Sequence, residues 1–426
     1  MRIALAAVLL AACGGSREPE HVYISIGTDA VNQVMTVAAR EGAPPELLEA
    51  GEGVAVLAVE PGELEGISQL MHEQFGRCSG FLVHDSLADA QVSLHPAAAA
   101  ALDYTIDHEP VVHAVLPALD RNAIKGTIAE LSGMPNRYYR SESGAQASRW
   151  LRDRWRSFTT RTDVTVELFD QGYPQQSVIM TIPGTTRANE VVVIGGHLDS
   201  ISMYAGKNGR APGADDDASG IATLSEVARA LLAKNYRPAR TIKFIAYAAE
   251  EIGLRGSQAV VRDFKQKKIN VVGALQLDMT NYQGSEKDIW LMKDFTNADQ
   301  NTFVAKLIDT YVGATWGLDA CGYGCSDHAS WYRAGVPASM PFESRMRDRN
   351  KSIHTADDTL ELSNNNADHA IKFAKLGAAY AIEMAKGEFG PPAAITTSAS
   401  HRFALWKLIA LFGGLALALT ALVRRR

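Results

Sequence analysis

The sequence predicts an α/β fold in which a mostly parallel central sheet is flanked by helices on both faces. Residues 191–194, 241–247 and 271–277 are apolar runs of strand length, the first unbroken by any polar side chain, as expected of strands buried on both faces. Between the first two runs, Ile221, Leu224, Val227, Ala228, Leu231 and Leu232 recur at helical spacing. Strands and helices therefore alternate, the pattern that lays parallel strands side by side beneath crossover helices. A last helix is expected over 367–384, stopped by Gly387.

At 426 residues the chain exceeds one ordinary domain, and 46% hydrophobic against 21% charged residues is enough to bury a core. Its net charge of −6 comes without long charge runs, which excludes nucleic-acid binding as the primary function. Residues 1–13 form a leader, with Arg2 followed by an apolar stretch too short to span a bilayer. Leu10-Ala11-Ala12-Cys13 resembles a bacterial lipobox with Cys13 as the lipidated residue; the alternative is an ordinary signal peptide with an incidental cysteine. Either implies export.

Residues 20–104 carry strand-like runs at 22–26 and 54–59, enough for a small α+β domain, and end in His95-Pro96 and five alanines that read as a linker. The main domain spans 107–387. A spacer over 388–402 contains Gly390-Pro391-Pro392, and 403–426 is a hydrophobic tail ending in three arginines. That tail is long enough to be a membrane-spanning helix with its arginines on the cytoplasmic side, or a sorting signal that is cut off. The membrane is thus a partner through the Cys13 lipid or the tail, the expected location is the bacterial cell envelope or surface, or the medium after processing, and the protein is expected to be a monomer. Beyond Cys13 there are three cysteines. Cys321 and Cys325 flank Gly-Tyr-Gly, which favours a small-loop disulfide after export. A Cys-x3-Cys zinc site would need a second ligand pair nearby, and Cys78 is left over.

The acids and histidines fall where such a sheet would gather them. His197 and Asp199 follow the first strand, Glu250 and Glu251 the second, and Asp278 the third. Ligands of open α/β sheets bind beyond the carboxyl ends of the strands. Asp215-Asp216-Asp217 precedes the first helix and, alone, would be a solvated turn with a capping residue. His354, alone, would be a surface histidine. Together these groups would repel or stay unpaired without a cation. Two imidazoles and three carboxylates suit zinc better than calcium or magnesium, and two metals about 3.5–4 Å apart can share a carboxylate. No His-Glu-x-x-His helix of the single-zinc proteases is present.

Gly-Gly-His197-Leu-Asp199-Ser, Pro-Gly-Ala-Asp-Asp-Asp-Ala-Ser-Gly, Ala-Ala-Glu250-Glu251-Ile-Gly-Leu-Arg-Gly-Ser, Leu-Asp278-Met-Thr-Asn-Tyr, Cys-Gly-Tyr323-Gly-Cys-Ser-Asp-His and Ile-His354-Thr occur in order. They resemble the secreted bacterial leucyl aminopeptidases, a di-zinc exopeptidase family, across 107–387. The resemblance implies two Zn2+ per chain: His197 and Asp278 on one, Glu251 and His354 on the other, and Asp216 bridging. It implies that Asp199 orients His197 and that Asp358, or its neighbour Asp357, orients His354. Glu250 would be the general base and Tyr323 a donor to the oxyanion. Met279, Met340, Phe342 and Ile353 would line the pocket for the first side chain of a peptide with a free N-terminus, leucine or another large apolar residue. Met346 and Arg349 stand where that family has aromatics, which implies a wider, more polar rim. The segment from Val22 resembles the family's propeptide, making the chain a zymogen. His328 reads as structural. The alternatives are a single-zinc glutaminyl cyclase, a non-catalytic binding domain on the same fold, or a carboxypeptidase or dipeptidase.

Overall fold

The computed structural model describes residues 21–391, apart from 42–44, 52, 79, 85, 95–101 and 204. The leader with Cys13, the alanine linker and the hydrophobic tail lie outside the described residues. No helix among the described residues is long and apolar enough to cross a membrane.

A six-stranded sheet forms the centre, in the order Ala338–Ser339, Asn270–Gln276, Arg187–His197, Arg240–Tyr247, Ser177–Ile182, Thr165–Phe169. The three expected strands are present and parallel. The expectation of a mostly parallel sheet needs one correction. Ser177–Ile182 runs antiparallel to Arg240–Tyr247, and Thr165–Phe169 antiparallel to it in turn, so the sheet is mixed. That edge is a hairpin rather than a crossover unit, and its short strands alternate only weakly between apolar and polar residues.

Successive side chains of a strand point to opposite faces, and here both faces are dry. Val192, Ile194, Ile242 and Phe244 pack under the helices Ala218–Ala233 and Ala370–Ala385. Val191, Val193, Ile245 and Tyr247 pack against Val260, Phe264 and Trp331 on the other face. Helix Ala218–Ala233 starts at Asp217, whose carboxylate accepts the Gly220 N–H at 2.8 Å. The same carboxylate takes the backbone N–H groups of His197 (2.9 Å) and Met279 (3.1 Å), tying two strand ends to one helix start. Gly220 is required for this closeness: a Cβ there would lie 2.2 Å from the Leu277 carbonyl and 2.3 Å from Asp217. Gly220→Ala is expected to destabilise the protein by about 1–3 kcal/mol through overpacking, read from the urea midpoint. An unchanged midpoint would mean that the strand end can retreat at no cost.

Residues 22–94 fold as an α+β segment within the same compact unit as the main sheet. It is an antiparallel four-stranded sheet in the order Glu46–Ala50, Val54–Val59, Val22–Gly27, Phe81–His84, with helices Val31–Glu41 and Leu64–Leu70. Its core is continuous with the main body: Ile24, Leu57, Ile67, Met71 and Val83 pack with Tyr138, Tyr139, Ala249 and Ile252. The last two flank Glu250 and Glu251. Two further bonds fasten the same turn, Val83 N–H to the Gly253 carbonyl (3.2 Å) and Ser68 Oγ to the Glu251 carbonyl (3.1 Å).

Candidate metal centre

His197 ends its strand, Glu250 and Glu251 lie just past Arg240–Tyr247, and Asp278 lies just past Asn270–Gln276. Parallel strands therefore bring all four to one end of the sheet, the placement expected for a ligand site. Asp216 reaches the same point from the turn before helix Ala218–Ala233, and His354 from the loop after Asn350. Ala249, Met279 and His354 hold left-handed backbone conformations, with φ of 54°, 54° and 58°. Such non-glycine outliers cost of order 1–3 kcal/mol each and cluster at functional sites.

The side chains sort into two groups joined by Asp216. His197 Nε2 stands 2.9 Å from Asp216 Oδ1 and 3.5 Å from Asp278 Oδ1. His354 Nε2 stands 2.9 Å from Asp216 Oδ2 and 2.9 Å from Glu251 Oε2. The approaches of His354 lack hydrogen-bond geometry. Asp216 Oδ2, both oxygens of Glu250 and of Glu251, Asp278 Oδ1 and His354 Nε2 are buried without a hydrogen-bond partner among the described residues. Buried polar atoms are normally satisfied, and so many orphans at one point call for an ion. The donors, two imidazoles and three carboxylates, match zinc.

Electrostatics agree. Burial alone would lower the His197 and His354 pKa, yet both rise well above the ordinary value because Asp278 and Glu250 face the first and Glu251 faces the second. Burial pushes Glu250 well up, against the pull of His197 and reinforced by Glu251. Burial raises Glu251 to about 7, against the pull of His354.

Surrounding groups fix these donors. Asp199 Oδ1 lies 3.5 Å from His197 Nδ1, and its two oxygens accept the backbone N–H groups of Glu250 (3.0 Å) and Glu251 (3.2 Å). Asp358 differs from the expectation. Its carboxylate accepts the N–H groups of Asp215 and Asp216 and the Asn350 amide at 3.0 Å, and among the described residues its hydrogen bonds go to that loop and not to the His354 ring. It holds the Asp216 backbone rather than the His354 ring. Arg137, which sequence reasoning missed, is fully buried and donates to the carbonyls of Leu198, Pro212 and Gly213, cross-bracing the same loop. Asp357 is exposed. His328 is buried, its Nε2 3.1 Å from the Asp294 carbonyl and its pKa lowered by burial to about 4, in keeping with a structural role.

Met279, Met340, Phe342 and Ile353 form one buried apolar cluster with Trp290, Met292 and Tyr323 beside the donors. Cys321 and Cys325 are joined by a disulfide that carries Tyr323 between them. Two residues of the N-terminal domain also enter the site, which the sequence did not indicate. Cys78 packs on the apolar cluster, and its backbone N–H donates to Tyr323 OH at 2.9 Å. The His72 ring sits edge-on to His354 with centroids 4.2 Å apart. Arg349 donates to the carbonyls of Met346 and Gly76 and lines a cavity together with Cys78, Ile353 and His354.

Comparison with known proteins follows the same lines. The profile of Peptidase family M28 matches residues 177–379. The chain is 35% identical over 352 residues to leucine aminopeptidase 1 of Ajellomyces capsulatus (strain NAm1 / WU24), covering 78% of this chain and 90% of that one. It is 37% identical over 303 residues to leucine aminopeptidase 1 of Arthroderma otae, covering 68% and 80%. The crystal structure of the LapA aminopeptidase of Legionella pneumophila matches with a TM-score of 0.74 at 32% identity, over 86% of this chain and 99% of that one. A Bacteroides thetaiotaomicron glutaminyl cyclase matches at a TM-score of 0.52 and 17% identity, covering 63% of this chain and 98% of that one, which shows a shared fold alone. Identity of this order over nearly the whole length of an aminopeptidase, together with a buried donor cluster at the strand ends, places the chain in peptidase family M28 as a metallo-aminopeptidase.

Proposed function

We propose that the protein removes N-terminal residues, leucine or other large apolar ones, from peptides with a free amine, using two zinc ions. The supporting observation is the arrangement of Asp216, one oxygen toward His197 and the other toward His354, with Asp278 and Glu251 completing the two sides. His197 and Asp278 would hold one zinc, His354 and Glu251 the other, and Asp216 both. When bound, the metals supply positive charge that polarises the scissile carbonyl and acidifies water.

The chain's own groups do the rest. Glu250, with no partner for either oxygen among the described residues, is placed to take a proton from water and return it to the leaving amine. Asp199 orients His197 and holds the Glu250-Glu251 turn, and Asp358 holds Asp216. The Tyr323 hydroxyl is placed to donate to the developing oxyanion. The cluster of Met279, Met340, Phe342 and Ile353 receives the first side chain, and the surplus of carboxylates holds its ammonium group. The disulfide favours export. Residues 22–94, lying over the site, would act as a propeptide.

The test is metal content and substrate choice in the purified protein. About two zinc ions per chain, cleavage of leucine nitroanilide and no cleavage of N-acetylated leucine nitroanilide are expected. One zinc with cyclisation of N-terminal glutamine, or cleavage of the acetylated substrate, would replace this reading.

A further inference from the structure

The N-terminal domain does more than cover the site. The helix Leu64–Leu70 runs into a wider turn at Met71–Phe75, and Gly76, at a φ of 60°, then reverses the chain into the cleft. Arg349 holds the Gly76 carbonyl, Arg77 stacks over the Tyr323 ring at 5.2 Å and pairs with Asp29 at 2.6 Å, and Cys78 N–H bonds Tyr323 OH. Each contact fixes the same short turn, and its end point is the Cys78 thiol.

That thiol is in no disulfide and faces the His354 ring. Its sulfur, a carboxylate oxygen of Asp216 and a ring nitrogen of His354 all lie within 4.8 Å of one another. Atoms sharing a tetrahedral zinc stand roughly 3.5 Å apart, given bonds of about 2.0–2.3 Å. An independent observation points to the same spot: His354 Nε2 and both Glu251 oxygens are buried there without hydrogen-bond partners.

We propose that Cys78 is a ligand, supplied by the N-terminal domain, of the zinc that Asp216, Glu251 and His354 hold; this rests on the metal reading above. A catalytic zinc keeps one position open, whereas a structural zinc is closed by four protein ligands. Sulfur at the fourth position converts the first kind into the second. Binding releases the thiol proton to solvent and forms one zinc–sulfur bond, with no change of oxidation state. Opening the site breaks that bond and returns a proton to the sulfur as the segment leaves. While it stays, Cys78 also sits on the apolar cluster that would take the substrate's first side chain, and its backbone N–H donates to the Tyr323 hydroxyl oxygen. One residue thus blocks metal and pocket together. The same contacts account for Arg349, whose guanidinium anchors the blocking turn.

The experiment is cobalt(II) substitution of the full chain and of its Cys78→Ala variant. The full chain is expected to bind two cobalt ions and to show an intense sulfur-to-cobalt charge-transfer band in the near ultraviolet. Cys78→Ala is expected to bind two ions without that band and, loaded with zinc, to hydrolyse leucine nitroanilide at least tenfold faster. Two ions with no sulfur band in the unmutated chain overturn the ligation alone. A chain that binds no cobalt overturns the metal reading and this inference with it. A measurement that needs no variant is the alkylation rate of Cys78 in the full chain, followed by peptide mass spectrometry. Zinc is expected to slow it at least tenfold relative to chelated protein, and equal rates overturn the proposal.

Discussion

Glu250→Gln is expected to lower kcat on leucine nitroanilide by about 10²–10⁴-fold, the usual share of a positioned general base, measured on protein from which residues 22–94 have been cleaved away. KM should change by only a few-fold. The substitution preserves shape and volume and removes only the ability to accept a proton. Nothing else in the fold uses these oxygens, which have no partner among the described residues, whereas the Glu250 backbone N–H remains on Asp199. Zinc content and thermal stability are therefore expected to match the unmutated enzyme. Those two controls separate the base from a ligand, whose loss would lower both. A kcat reduced by less than tenfold at full zinc occupancy would remove Glu250 from the reaction.

Three of the five donors, His197, Glu251 and Asp278, were legible in the sequence because strand ends announce themselves. An apolar run of strand length followed at once by His, Glu or Asp tells where the backbone stops being sheet, and parallel strands then deliver their ends to one edge. Asp216 was not legible in that way. Asp215, Asp216 and Asp217 are chemically identical neighbours, and only the resemblance selected the middle one. In the fold their duties differ: Asp215 accepts the Asn281 N–H, and Asp217 caps a helix while tying two strand ends. Those partners lie 20 to 66 residues away or depend on a turn, and composition carries no record of either.

The antiparallel hairpin at the sheet edge was missed for a similar reason, since its short strands lie between polar loops. His72 and Cys78 were beyond reach altogether. They lie on the turn and loop that follow helix Leu64–Leu70, more than 100 residues before the strand ends, and no periodicity links them to the site. The one available signal was arithmetic: an odd cysteine left over in an exported chain asks for an explanation. Arg137 is a harder case. An arginine beside two tyrosines reads as surface, and only the fold shows it buried among loop carbonyls.

Removing the metals is expected to produce a protein whose stability falls as pH rises from about 4 to about 8. In the metal-free site, burial raises Glu251 to about 7, Asp327 to about 7 and Asp358 to about 8. In the unfolded chain, such carboxyls titrate near 4. The folded state therefore binds more protons across that interval, and stability declines with pH wherever this is so. His197 and His354, held well above their ordinary value, act in the same direction: their contribution is present at low pH and lost as pH passes their folded values. Asp216 works oppositely, because the two histidines depress it, but its contribution is lost only below about pH 4. For Glu251 alone, the rise from 4.5 to about 7 corresponds to about 3 kcal/mol. The groups interact, so the sum is less than additive. Bound zinc replaces those protons, and its affinity grows as they leave. Urea midpoints at pH 5 and pH 8, with zinc and with chelator, read the difference directly. The chelated protein should have the lower midpoint at pH 8, and the gap between loaded and stripped protein should widen from pH 5 to pH 8. A chelated protein equally stable at both would mean that the carboxylates are not held together in the absence of metal, and that the ion assembles the site rather than filling one already formed.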